Sequence, residues 1–496
     1  MKRDQILLLG WCVGYAMLWT GVTFLLDPTV PYDAIEALNW AMNAEWGSPK
    51  NPWLVGLVMR PALWLSAPWL SFYWYATHFL AVALGMFGVW QLAWRLSGDR
   101  RLAWLALLAL NLSGVINFDI ISFNDNYLLV MLWPWLWVFF LRAAFDRPGW
   151  WLAFAVTGGL ACMAKYSSLS FMFSAWMLTL LMPAIRRCYR QPAFYLAVLV
   201  WLIIVAPNGW WLWQNDFAAV KWVDSQVTPG VTLHGLLSAA TVFYPLAVLA
   251  AVLIVLRARL GWPPTSQGRA ALGMMVIPLG PILVWFSLHD GGRITEWLQP
   301  YMMPATALMM ACVTQPPNRP LAGTLKKLLL WAPVVLAGYS AVMLLNLRGA
   351  GEKLAGIKPF SQQVNERWQR HYHQPVRFVG GDYLSQWLTF YIDDRPAVIT
   401  PWSVERRPNI YTRSLRQDRL LHDGVLLLGP RGQNCGEADF SDILAPWPAL
   451  SIGYREEMAF VPHPGAGAVP ICLAFVPPMT PESSRYTPTH RGEEML

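Results

Sequence analysis

Runs of about 20 apolar residues, each long enough to cross a hydrocarbon core of roughly 30 Å, recur along this chain from residue 5 to about residue 346. Segments of that kind have no way to hide their surface in water, so the chain needs lipid as its solvent. About eleven such windows can be marked off. Composition agrees: 56% of the residues are hydrophobic and 13% are charged, against roughly a quarter charged in soluble domains. The 30 tryptophans suit helices that cross membrane interfaces, where Trp and Tyr concentrate. A formal net charge of +8 does not mark a nucleic-acid binder, because the basic residues fall in short clusters between apolar runs, as topology signals do. Cys12, Cys162 and Cys312 lie inside apolar runs, where a thiol acts as a small hydrophobe, and the cysteine spacing fits no metal site.

The first window, Ile6 to Leu26, follows Lys2 and Arg3 and lacks a small-residue cleavage site, so it reads as a retained helix with a cytoplasmic N-terminus. Alternate loops beyond it carry Arg95, Arg100 and Arg101; Arg142 and Arg147; Arg186, Arg187 and Arg190; Arg257, Arg259 and Arg269; and Arg319, Lys326 and Lys327. The intervening loops are poor in such clusters, which is the positive-inside pattern. It predicts that residues 27–68, 118–125, the 165–168 turn, 207–234 and 288–296 face outward. An odd number of spans puts the tail outside as well.

That tail changes character at Arg348, where charge becomes frequent and no later window is apolar enough to span. Residues 376–381, 396–399 and 424–429 read as strands, 382–392 and 412–422 as helices. The alternation predicts a small α/β domain. The expected architecture is therefore an α-helical polytopic membrane protein, residues 1–346, with a small C-terminal α/β domain on the periplasmic side, residues 347–476. Residues 477–496, rich in Pro, Ser, Thr and Glu without periodicity, read as a disordered tail. Cys435 and Cys472 are the cysteines of this domain. An oxidising compartment would let them pair, and two buried free thiols are the alternative.

The most informative segment is the first outer loop, from Asp27 to Leu65. Pro31 opens a helical pattern that puts Asp33 and Glu36, three residues apart, on one face. Apolar positions at Leu38, Trp40 and Met42, and at Trp53, Leu54, Leu57 and Val58, suit helices lying in the membrane interface. Asp33 could simply cap its helix, as Asp does near N-termini. Lys50, Arg60 and Lys165 are the cations expected on the outer side. Lys165 is the sharpest, because it falls between two apolar helices, where an ionisable residue is costly and usually functional; the alternative is that it snorkels to the interface. Arg60 could bind lipid headgroups. Asp119 and Asp125 flank the second outer loop beside Asn124 and Asn126, and either solvated acids or oxygen ligands fit them. His289, Asp290, Arg293 and Glu296 precede the tenth window; Arg293 and Glu296 have the spacing of an ion pair. Isolated His234 and His289 lack the second histidine of a zinc site.

These patches, in this order, resemble one family. Asp33 at the start of the loop, then Trp46-Gly47 and Lys50-Asn51-Pro52-Trp53-Leu54, look like the protein O-mannosyltransferases and lipid A aminoarabinose transferases, which are GT-C-class membrane glycosyltransferases. Phe123-Asn124 with Asn126, Met163-Ala164-Lys165-Tyr166-Ser167 and Trp297-Leu298-Gln299-Pro300-Tyr301 continue the likeness. The chain departs from the pattern where Ala34 follows Asp33, so that Glu36 is the next acid, and where Pro49 precedes Lys50. The resemblance implies transfer of a sugar from a polyprenyl-phosphate donor to a lipid, glycan or protein hydroxyl at the outer face of an inner membrane. Asp33, with Glu36 beside it, would act on the acceptor's proton. Lys50, Arg60 and Lys165 would hold the donor phosphate. Asn124 and Asp125 would orient the acceptor or a divalent cation, which is left open as a cofactor. A transporter shares the many helices and few buried charges, but it should show matched halves with broken helices, and no internal repeat is visible. A lipid-carrier-binding protein without catalysis is the other alternative.

Overall fold

The computed structural model describes residues 2–27, 29–123, 125–345, 354–399 and 415–479. The chain forms two compact units: Met1–Trp40, Ala44–Ala62 and Ser71–Gly349 make the first, and Ala41–Asn43, Leu63–Leu70 and Ala350–Leu496 the second.

The helices begin with α1 (Lys2–Leu26), α2 (Tyr32–Asn43), α3 (Leu54–Met59), α4 (Ala67–Ser97), α5 (Arg100–Ala109), α6 (Phe118–Phe123), α7 (Tyr127–Phe145) and α8 (Trp150–Ala164). They continue with α9 (Leu169–Leu181), α10 (Pro183–Arg186), α11 (Pro192–Gln214), α12 (Ala218–Ser225), α13 (His234–Val255) and α14 (Ser266–Ser287). The first unit closes with α15 (Ile294–Leu298), α16 (Met302–Ala311) and α17 (Ala322–Leu344). Two short ribbons tie its loops: β1 (Val227–Pro229) pairs antiparallel with β3 (His289–Gly291), and β2 (Arg259–Leu260) with β4 (Val313–Gln315).

Among the described residues seven helices are long and apolar enough to cross a membrane by themselves: α1, α4, α7, α11, α13, α14 and α17. The count is eight if α9 and α10, bent by 96° at Met182-Pro183, form one broken span. The chain is thus a multi-pass membrane protein. The other apolar windows fold as shorter helices. α8 has 15 residues, a rise of only about 22 Å, and stops where Lys165 turns extended at φ −159°. α5 and α16 have 10 residues each, because Ser113 caps a new 3-10 turn after α5 and Pro300 sits in the one before α16. Apolar composition survives such breaks because turns buried in protein can satisfy their own backbone groups.

Buried Trp74, Trp90, Trp133, Trp137 and Trp151 fill the bundle's interior. Close helix approach needs small residues. At Gly85 of α4 an added Cβ would lie 2.2 Å from the carbonyl oxygen of Val130 on α7, so only glycine allows this crossing. The helix expected after Pro31 is α2, and it is enclosed by protein. Residues 33–41 of α2 are all buried, because Ala34, Ala37 and Ala41 let neighbours close on every side. α3 is only 6 residues long, and Leu57 on it is exposed.

The second unit holds α18 (Ile357–Tyr372), β5 (Phe378–Gly381), α19 (Leu384–Tyr391), β6 (Ala397–Val398), α20 (Gln417–Asp423), β7 (Val425–Leu428), α21 (Ser441–Leu444), β8 (Tyr454–Phe460) and β9 (Val469–Val476). Its five-stranded sheet runs β6-β5-β7-β9-β8. The first three strands are parallel and the last two join antiparallel. Both faces of β7 are buried, as a central strand requires. Trp368 of α18 stacks on Phe475 of β9. Cys435 and Cys472 are joined by a disulfide. The predicted tail from residue 480 onward lies outside the described residues.

Candidate active site

Pro31 stands at the N-cap of α2 without a side-chain cap bond, and its fixed φ starts the helix well. Asp33 therefore sits in the first turn and Glu36 one turn later on the same face. Both carboxylates point at one ammonium group: Lys50 Nζ donates to Asp33 Oδ1 at 3.1 Å and to Glu36 Oε2 at 2.8 Å. The second oxygen of Asp33 accepts from the backbone N–H of Asp125 at 3.3 Å. Asp33 thus spends its oxygens on Lys50 and the segment just before α7, an arrangement a helix cap does not explain.

Lys50 rides on a turn stapled by Ser48. The Ser48 N–H donates to the Asn51 carbonyl at 2.8 Å, and Ser48 Oγ accepts from the N–H groups of Asn51 at 2.8 Å and Lys50 at 3.3 Å. Gly47 and Pro52 close the turn through an isolated bridge. The Asn51 side-chain amide donates to Asp125 Oδ2. Asp125 in turn receives Lys165 Nζ at 2.9 Å on its other oxygen, and Lys165 also donates to Asn126 Oδ1 at 2.7 Å. The Asn126 amide donates to the carbonyl of Glu296 at 2.9 Å. Trp222 of α12 places its ring 5.9 Å from the Lys50 ammonium, within reach of a cation–π contact.

Three carboxyl groups and two ammonium groups thus interlock in a largely buried cluster. The side chains of Glu36 and Asp125 are 2% and 1% exposed, those of Lys50 and Lys165 14% and 18%. Burial pushes the Glu36 carboxyl above its ordinary range, against the pull of Lys50. Burial alone would lower the Lys50 ammonium, but Asp33, Glu36 and Asp125 outweigh it and hold its pKa well above the usual value. At Asp125 burial opposes ionisation, and Lys165 and Lys50 overcome it, leaving its pKa lowered. Glu296, desolvated and only partly offset by Arg293 at 3.6 Å, is raised to about 6.

The structure brings together Asp33, Glu36, Lys50, Asp125 and Lys165 from the sequence-derived set. Asn124 lies outside the described residues. Arg60 does not join the cluster: it is exposed on the 3-10 turn after α3. Lys165 is not unpaired, since Asp125 and Asn126 hold it. Asp119 lies on α6 against Gly114. His234 meets Asp290 at 3.7 Å on an exposed edge. No group of three or more His, Cys, Asp or Glu residues placed to hold a metal occurs among the described residues. The roles of Ser48, Asn51, Asn126 and Trp222 were not foreseen. The Ser-Pro-Lys-Asn run is a turn signal, and Asn51 and Asn126 stand in the family-like patches, but neither sign gives the contacts these side chains make.

Fold and sequence together define a class. The chain resembles the protein O-mannosyltransferase and lipid A aminoarabinose transferase family of GT-C-class membrane glycosyltransferases. Residues 71–211 match the family model described as dolichyl-phosphate-mannose-protein mannosyltransferase. Among individual proteins, lipid A galacturonosyltransferase RgtD of Rhizobium johnstonii is 26% identical over 209 residues. That match takes in 41% of this chain and 43% of the relative, so the chain spans less than half the length of this curated relative. The crystal structure of ArnT from Cupriavidus metallidurans bound to undecaprenyl phosphate superposes with a TM-score of 0.61 at 16% identity, covering 93% of this chain and 98% of that one. The apo form of the same protein gives 0.61 over 97% and 99%. The fold is shared over nearly the full length.

Proposed function

We propose that this protein transfers a sugar from a polyprenyl-phosphate carrier to a hydroxyl of a lipid A-type acceptor at the periplasmic face of an inner membrane. The observation that carries the reading is the buried meeting of Asp33 and Glu36 with Lys50, and of Lys165 with Asp125. The names of the relatives, a lipid A transferase and a transferase that binds undecaprenyl phosphate, support this choice of donor and acceptor.

In the proposed reaction the acceptor oxygen forms a bond to the anomeric carbon while the bond from that carbon to the phosphate oxygen breaks. The bonding pair leaves on the carrier phosphate. Lys50 and Lys165 stabilise that developing charge, in surroundings where a preorganised ammonium counts for much more than in water. The acceptor's proton passes to Asp33. Attack in one step inverts the anomeric carbon, the logic of inverting glycosidases, where base and leaving group lie on opposite faces. A divalent cation remains a proposal only: Asp125 would be its ligand, and it would have to displace Lys165. The topology of the reading has eleven crossings, made by the seven long helices, α8, the broken α9–α10 pair, and α5 and α16 each together with its adjoining 3-10 turns, with the N-terminus cytoplasmic and the second unit periplasmic.

Mass spectrometry of envelope lipids from a strain lacking the protein tests the reading. A sugar lost from lipid A, restored by the wild-type chain and not by Asp33→Asn, supports it. A strain whose lipids are unchanged, or one that Asp33→Asn restores fully, refutes it.

A further inference from the structure

α11 packs along α8 but fully buries few of its residues. Of its 23 residues only Ala197, Asn208 and Trp211 are buried, while Trp210 and Trp213 beside them are exposed. Asn208 and Trp211 stand three residues apart, on one helix face, and both end on the segment just before the Lys50 turn. The Asn208 amide donates to the carbonyl of Trp46 at 2.8 Å, and Trp211 Nε1 donates to the Glu45 carboxylate at 2.6 Å. Directly after Glu45 and Trp46, Gly47 packs against the same Asn208 and Trp211. A Cβ there would sit 2.5 Å from Trp211 Cε3 and 2.9 Å from Asn208 Nδ2.

A polar side chain buried in a spanning helix is costly unless its bonds are made, and it is kept where it has a task. Here the task is local. Gly47 opens the turn that Ser48 staples and that carries Lys50 toward Asp33 and Glu36, so α11 fixes the turn from one side while the carboxylates fix the ammonium from the other.

We infer that Asn208 and Trp211 are positioning residues of the site, holding the Glu45–Gly47 segment against α11 so that Lys50 stands where the donor phosphate is bound. The role of Lys50 toward phosphate rests on the function proposed above; the holding of the turn does not. A ligand group displaced by about 1 Å costs on the order of 10²-fold in rate, so loss of either bond reads out as turnover although neither residue touches substrate.

The test compares Asn208→Ala, Trp211→Phe, which keeps the ring and removes the N–H, and Trp210→Ala as a neighbour outside the contact. In full-length protein in lipid nanodiscs, acylation of Lys50 by an amine-reactive ester, followed by peptide mass spectrometry, reports whether the turn is held. The first two variants speed Lys50 acylation several-fold and Trp210→Ala does not; unchanged acylation in both would overturn the inference. Transfer from a polyprenyl-phosphate sugar falls roughly 10- to 100-fold in each. Each combined with Lys50→Ala is no slower than Lys50→Ala alone, because the effect runs through Lys50. Losses that multiply with Lys50→Ala contradict the positioning role even where the melting temperature is normal. If the wild-type chain transfers nothing while Lys50 acylation still responds, the proposed function fails and the hold on the turn stands.

Discussion

Charges meet in two very different ways in the buried cluster of the first unit and on the open face of α18 in the second. In the first, Lys165 and Asp125 pair at 2.9 Å with side chains 18% and 1% exposed, and Lys50 bridges two buried acids. In the second, Arg370 and Glu366 of α18 pair at 3.5 Å while 69% and 63% exposed. Exposed pairs contribute roughly 0.2–1 kcal/mol, and desolvation makes buried ones weak stabilisers at best, although removing one partner costs several kcal/mol. Buried charge is thus poorly explained by stability, whereas a reaction that develops negative charge on a phosphate explains it well. The surface pairs need no such explanation.

The sharpest break in the comparison is Asp33→Asn, which removes the proposed base without removing bulk. Turnover falls by roughly 10²–10⁴-fold, with membrane yield unchanged. A near-normal rate would return Asp33 to a structural role.

The two lysines come next, and they separate by what each leaves behind. Lys50→Ala and Lys165→Ala each remove a charge-assisted contact, a loss of a few kcal/mol in a buried site. Lys165→Ala also strands Asp125, whose ionised form depends on Lys165, so its melting temperature drops. Lys50→Ala leaves Glu36, already raised by burial, free to take up a proton, so its melting temperature falls less. Arg60→Ala, an exposed site, is the mildest of the three. Equal melting shifts for the two lysines would contradict this account of the cluster.

Glu296 adds a pH signature. Its folded pKa of about 6 lies above the unfolded value of 4.5, so the folded state binds more protons between these values and stability falls as pH rises through that window. The full loss is on the order of 2 kcal/mol. Melting in detergent at pH 4.5 and 7 measures it, and Glu296→Gln flattens that part of the profile. A smaller effect marks the second unit: Arg370→Ala shifts stability by only about 0.3–0.5 kcal/mol, and a loss as large as that of Lys165→Ala would erase the contrast between the units.

Much of this was legible in the chain. The long apolar runs became α1, α4, α7, α11, α13, α14 and α17, and strands expected at 376–381, 396–399 and 424–429 fall on β5, β6 and β7. β8 was missed because Tyr-Arg-Glu-Glu-Met-Ala-Phe, a sheet-edge strand, carries too much charge to read as one. Asp33, Glu36, Lys50, Asp125 and Lys165 stood out because ionisable residues beside apolar helices are few. Their pairing did not, since Lys165 and Asp125 are 40 residues apart and no helical spacing links them. Arg60 shows the converse. A basic residue near the membrane looks the same in sequence whether it lines a pocket or faces out, and the shortness of α3 decides which.

The most direct test is reconstitution of the purified protein with a polyprenyl-phosphate sugar and lipid A, following both products. The account predicts release of polyprenyl phosphate in step with a glycosylated lipid of inverted anomeric configuration, and loss of both products in Asp33→Asn. Carrier consumed with retained configuration, or equal product from wild type and Asp33→Asn, would contradict it.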